Sequence, residues 1–431
     1  MTPRLGRARA PDVRLPLAYL AAAAAAFVGA AVQIPWLATE LAGHYYHPRV
    51  LALTHTVTLG WISLAVMGAS YQLIPIVLKC PLWSERLPWW QLPALVVGIA
   101  GMLAHFSIAE WSGLVWAALL VAAAVGAHVV NVTLTLRALR PQTLLARFVI
   151  VALVGISLTM LAGLALAAHH LHPFLPGDFY ARLSAHVHLA LLGWVLPMIL
   201  GVAAQVYPMF LLGSGHDVRL ERIQFWGVVA GVPALVAGLL LSRVLTIGGT
   251  AAVAMAVAAH LTSLTGMVRR SNTPRFDWPV RFLLAAAALL VPATLLGLAL
   301  AFDTATGPRW ALAYSVLVLG GWVSLTIVGM MLKIVPFLTW YSAYGERAGR
   351  EPVPSLAKLG WPAAEVLAFV ALAGGTVLLT AGVAIGSVPM IRVAGSFIVI
   401  GAFAFAAALA RVLSHLLPAG LALTVAANAR R

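Results

Sequence analysis

Twelve apolar runs, at about 15–38, 47–78, 88–109, 112–136, 147–168, 180–212, 222–242, 244–268, 280–302, 309–340, 361–386 and 389–416, fill this chain almost from end to end. Each has the roughly 20 residues that a helix needs to cross a bilayer. In hydrocarbon, a backbone polar group has to be satisfied by its own helix or by a closed barrel. Barrel strands span with about ten residues, so runs of this length specify helices. No stretch is left over for a soluble domain. The longest connection, about 341–360, is short and carries Gly345, Gly349, Pro352 and Pro354. The expected fold class is an all-α integral membrane protein, one membrane domain over 1–431, with the lipid bilayer as its first partner. The opening segment, basic and then Ala-rich, reads as the start of the first helix and not as a cleaved leader.

Charge agrees with this reading. Only 9% of the residues are charged, against about a quarter in a soluble protein. A net charge of +15 would raise nucleic-acid binding in a soluble chain, but here it follows the loops. Arg4, Arg7, Arg9, Arg14, Arg137, Arg140, Arg269, Arg270, Arg430 and Arg431 all fall on one side, whereas only Arg49, Arg182, Arg243, Arg309 and Arg392 fall on the other. The positive-inside rule then puts both termini in the cytoplasm, and no nucleic-acid partner is expected. Cys80 is the sole cysteine, which excludes a disulfide and a thioether-attached c-type haem.

A pattern, His-x4-Gly-Trp-x6-Gly-x3-Gln-x2-Pro, then divides the chain. It reads His55, Gly60, Trp61, Gly68, Gln72, Pro75, and again His188, Gly193, Trp194, Gly201, Gln205, Pro208. A third copy keeps every interval but replaces the ends of the motif: Val316, Gly321, Trp322, Gly329, Lys333, Pro336. Registered copies imply three pseudo-symmetric sets of four helices, about 14–140, 147–272 and 280–417. The glycines are expected where helices approach closely, the tryptophans as packing residues, and the prolines as helix ends or bends. Lys333 is expected to reach the interface.

The histidines are the chemical clue. His55 and His188 occupy equivalent positions just inside the basic-poor face, where an imidazole needs partners for two nitrogens. Neutral imidazoles on facing helices suit haem iron, copper or zinc. With no thiolates and few carboxylates, haem is the natural choice, and His55 and His188 are the expected cofactor ligands, clasping one iron. His186 lies two residues from His188, about 200° round the helix, and is assigned a separate metal or hydrogen-bonded environment. His128 and His260, 73 and 72 residues after the two motif histidines, form a further registered pair of candidate metal ligands. Without a carboxylate in the middle of the marked helices, a proton pump is not expected.

The stretch His55-Thr-Val-Thr-Leu-Gly-Trp, followed by Met67-Gly-Ala-Ser-Tyr-Gln-Leu-Ile-Pro75, resembles helix 2 of the haem–copper oxidase large subunit, most closely in the nitric oxide reductase and C-type branches. The resemblance implies twelve helices in three sets, cytoplasmic termini, a b-type haem bound through His55, a copper ligand at His186 or His188, and the bacterial inner membrane. It also implies partners such as a c-type cytochrome or other respiratory subunits. That family places histidines on helices 7 and 10, and neither run has one here. The expected function is therefore an electron carrier or a small-gas (NO or O2) protein of respiration and not a full terminal oxidase. Similarity to the NnrS-like haem- and copper-containing proteins of nitric oxide metabolism is an alternative; so is a cofactor-free transporter or an assembly subunit of a respiratory complex.

Overall fold

Each apolar run forms one helix, and short polar signals set the ends. In the computed structural model the spans are α1 (Arg14–Trp36), α2 (Pro48–Leu78), α3 (Leu87–Ser107), α4 (Trp111–Arg137), α5 (Leu144–Leu171), α6 (Phe179–Leu211), α7 (Val218–Leu241), α8 (Arg243–Arg269), α9 (Trp278–Ala301), α10 (Pro308–Tyr344), α11 (Pro362–Ile385) and α12 (Val388–Leu416). The structure describes residues 11–137, 139, 143–213, 217–272 and 275–417. Arg4, Arg7, Arg9, Arg140, Arg430, Arg431 and His216, with the expected end of the first repeat at 140, lie outside the described residues. Side-chain oxygens of Thr143, Asp178, Asp277 and Ser387 accept first-turn backbone N–H groups at the starts of α5, α6, α9 and α12, satisfying donors that the helix itself leaves free.

The prolines act unequally. Pro75 and Pro208 sit in the last turn of α2 and α6, which end at left-handed residues, Lys79 (φ 53°) and Leu212 (φ 47°). Past Pro336, α10 runs on to Tyr344. Its extra turns are tied down: Trp340 Nε1 donates to the Pro354 carbonyl at 2.7 Å and the Tyr344 hydroxyl pairs with His415 Nδ1 at 2.8 Å. Lys333 does more than reach for water. It pairs with Asp277, the residue that caps α9.

All three motif helices widen at the same place. The backbone changes to π-helical turns over Thr56–Ser63 in α2, Leu189–Val195 in α6 and Val316–Ser324 in α10. Each wide stretch contains the Gly-Trp pair of its copy. Such turns are rare and re-aim the side chains that follow. They bury Trp61, Trp194 and Trp322 at the centre of the bundle.

Around these three helices the others pack pairwise: α3 on α4, α7 on α8, α11 on α12, with α12 closing back onto α1. The motif's second glycine is where the first helix of each group presses in. A Cβ on Gly68 would stand 2.5 Å from Cβ of Tyr19, and one on Gly201 2.8 Å from Cβ of Phe148. On Gly329 it would stand 3.0 Å from Cβ of Phe282. The motif thus buys close helix contact. We expect Gly68→Ala to lower the thermal unfolding midpoint of the detergent-solubilised protein, at a cost of about 1–3 kcal/mol for overpacking. Gly126→Ala in α4, where a Cβ meets nothing within 4 Å, should hold or raise it.

Candidate functional site

An apolar cavity of about 820 Å³ surrounds the upper half of α6, at the end of the bundle away from Arg14. Its lining runs from α2 round to α10, and the parts on either side of α6 are called two lobes, after the helices that line them. The first lobe lies among α2 to α6, with His55, Met102, Phe106, Leu114, Met160 and His186 on its walls. The second lies among α6 to α10, with His188, Leu235, Val257, Thr294, Tyr314 and Val318.

The two motif histidines are held alike. His55 Nδ1 bonds to the Leu51 carbonyl at 2.8 Å, and His188 Nδ1 to the Ser184 carbonyl at 2.7 Å. Each carbonyl lies one turn back on the same helix, so Nδ1 carries the hydrogen and donates it. In a neutral imidazole this leaves Nε2 with a lone pair, and neither Nε2 has a partner within the described residues. Polarising the far nitrogen in this way is how ligating histidines are oriented and made more basic.

His55 and His188 have different ring neighbours. His55 stacks on Phe106 of α3, ring centroids 4.7 Å apart, whereas His188 faces Tyr314 of α10 at 6.2 Å. The imidazole that comes into electrostatic range of His55 is His186, the residue whose register suggested a separate environment. Its ring lies over Gly163 of α5, and its Nδ1 is buried without a hydrogen-bond partner.

A single rule gives this pairing. The motif residue of one copy meets the residue two places before the motif position of the next copy. His55 is thus matched in register with His186, and His188 with Tyr314, whose ring it faces. The same rule would bring Val316 to Leu53. Where α10 and α12 return to α1 and α2, aromatic rings fill the interface: Phe27 stacks on Trp61 at 4.5 Å, and Phe405 lies 6.0 Å from both. Trp61 Nε1 donates to Ser324 Oγ across it at 3.0 Å. Two of the three clefts between motif helices are hollow and carry polar pairs. The third is packed with apolar side chains.

His128 and His260 line neither lobe. Each stands against a tyrosine deeper in the bundle, Tyr71 at 5.1 Å and Tyr207 at 6.1 Å. Among the described residues no three His, Cys, Asp or Glu side chains converge as a metal-binding group.

Over the first lobe lies an aromatic roof. His170, at the end of α5, stacks on Trp111 at 4.2 Å, and its Nε2 pairs with the Tyr46 hydroxyl at 2.5 Å. Burial, with the neighbouring Tyr180, pushes the Tyr46 phenol up to about 12, so it stays protonated at any ordinary pH. Glu110 fixes the start of α4. Its carboxylate accepts from the Ser112 hydroxyl and from the backbone N–H groups of Ser112 (3.0 Å) and Gly113 (2.9 Å). These bonds, the Ser112 hydroxyl foremost, pull its carboxyl down to about 2.

With the lobes described, the chain can be compared with known proteins. No protein-family profile and no curated protein matches it. Among solved structures it matches a chain from a haem–copper terminal oxidase dimer determined by cryo-EM, with a TM-score of 0.63 over 94% of this chain and 84% of that one, at 14% identity. The fold is that of a haem–copper oxidase. The likeness reaches the whole membrane domain and, at this identity, concerns the fold alone.

Tyr314, Phe106 and the Tyr46–His170–Trp111 roof were missed by sequence reasoning. Tyr314 had a signal: it sits two places before Val316, as His186 sits two places before His188. The roof had none, because its three members come from three separate segments.

Glu110 has a carboxyl depressed below its ordinary 4.5, so its support for the roof is present at neutral pH and fades as pH falls from about 4.5 towards 2. We expect the fluorescence difference between the protein and its Trp111→Phe variant to change across that window, and the change to vanish in Glu110→Gln.

Proposed function

We propose that this chain is a haem-binding membrane redox protein, with a b-type haem held in the first lobe by His55 and facing His186. The observation that carries the reading is the pair of imidazoles beside one apolar lobe, one of them with Nδ1–H bound to a backbone carbonyl and a free lone pair at Nε2. These residues fit the group. A flat apolar cofactor suits the lining, and a neutral nitrogen donor suits its iron. When bound, the haem supplies one-electron chemistry. The chain does the rest: the Leu51 carbonyl sets the tautomer of His55, Phe106 holds the plane of its ring, and the apolar walls keep water out. His186, with Nδ1 lacking a partner, supplies the second imidazole, an arrangement that favours electron transfer over reaction with a gas.

The second lobe differs in kind. His188 has the same oriented ring, but Tyr314 faces it in place of an imidazole. A group bound at His188 keeps one position open, which suits a small ligand such as NO or O2. Neither α7 nor α10 carries a histidine, so this reading stops short of a complete terminal oxidase. It takes the protein as a multi-pass component of a bacterial inner membrane, its histidine-bearing end outward by the distribution of loop charge, and its partner as a c-type cytochrome or another respiratory subunit. His128 and His260, single histidines against tyrosines, are read as packing residues, and copper is given no site.

Purified after expression with haem in excess, the protein should show a Soret band and sharp reduced α-bands. His55→Ala should abolish the low-spin signal, His186→Ala should convert it to a five-coordinate spectrum, and His188→Ala should leave it in place. A haem-free protein would overturn the assignment. Loss of the same band in His188→Ala would overturn the pairing with His186.

A further inference from the structure

Six aromatic rings form an unbroken file from the end of the bundle to His55. Tyr180, 44% exposed, meets Tyr46 edge to face at 6.0 Å. Tyr46 bonds to His170 through its hydroxyl at 2.5 Å. His170 lies flat on Trp111, at 4.2 Å and an interplanar angle of 6°. Trp111 meets Phe106 at 6.0 Å, and Phe106 stacks on His55 at 4.7 Å. These distances are those of rings in contact. The remaining walls of the first lobe are mostly aliphatic.

We propose that this file is an electron relay, which carries single electrons from a one-electron donor at the exposed Tyr180 end to the centre at His55. The inference rests on the haem assignment for its terminus. Packed π systems and one short hydrogen bond replace the gaps that would make transfer through an aliphatic wall slow. The balance is simple. The donor loses one electron, ferric iron gains it, and no bond is made or broken. The rings act as a bridge and are not themselves left oxidised. No proton crosses the roof, since the half-buried Tyr46 phenol keeps its proton on the hydrogen bond to His170. Among the described residues the second lobe has no such file: His188 has one ring contact there, with Tyr314. The relay therefore gives the two lobes different roles, with electrons arriving through the first.

The test uses the whole protein with Cys80 replaced by Ala and a thiol-linked ruthenium photosensitiser on Tyr180→Cys. Driven as a photoreductant, it should reduce the haem at a rate that falls at least tenfold in Trp111→Leu and recovers in Trp111→Phe, with the absorption spectrum and midpoint potential unchanged. Driven as a photooxidant on haem-free protein, it should produce a transient tryptophan radical that is absent in Trp111→Leu. An unchanged reduction rate in Trp111→Leu, or the same radical signal without Trp111, overturns the relay. If the protein binds no haem, the functional assignment fails, and the radical measurement alone decides whether the file conducts.

Discussion

The bundle depends on how α2, α6 and α10 each pack against the first helix of their own group. In each, the backbone widens into π-helical turns at the Gly-Trp pair, and the glycine seven residues beyond the tryptophan lets the first helix of the group come within side-chain contact. Those contacts lie within each group, between its first helix and its motif helix. The space that the bundle keeps lies beside the motif helices, and the character of each cleft follows from the residues that face into it.

Seen in this way, the three clefts are variations on one geometry. One receives two imidazoles, one an imidazole and a phenol, and one is filled by Phe27, Trp61 and Phe405. Loss of the third histidine at Val316 goes with the closure of that cleft. The sister tryptophans show the same break in symmetry. Trp61 spends its indole N–H on Ser324 across the closed cleft, whereas Trp194, on the wall of the cavity, has a buried N–H with no acceptor. A buried donor left in that state has a cost of about 1–3 kcal/mol, tolerated at the edge of a hollow and absent where the interface is packed.

The fold was almost wholly legible in the residues. Apolar runs gave the twelve helices to within a few residues at nearly every end, because a bilayer admits few other conformations. The last turn of α10, beyond 340 to Tyr344, was not legible, since the contacts that hold it come from Pro354 and His415. The site was half legible. His55 and His188 were found by register, and each ring is held by a carbonyl one turn back on its own helix. Register states which positions are equivalent and is silent on whether equivalent side chains point to an axis or around it.

Sequence by itself determined the membrane, the helix count, the three-fold pattern and the residue types available for chemistry, since hydropathy, spacing and side-chain identity are properties of the chain. Tertiary structure decided the partners. Rotation about the bundle brings each motif residue to a neighbour two places off register in the next copy, and it gathers Tyr46, Trp111 and His170 from separate segments into one roof. Those contacts depend on how helices pack against one another, which spacing along the chain does not state.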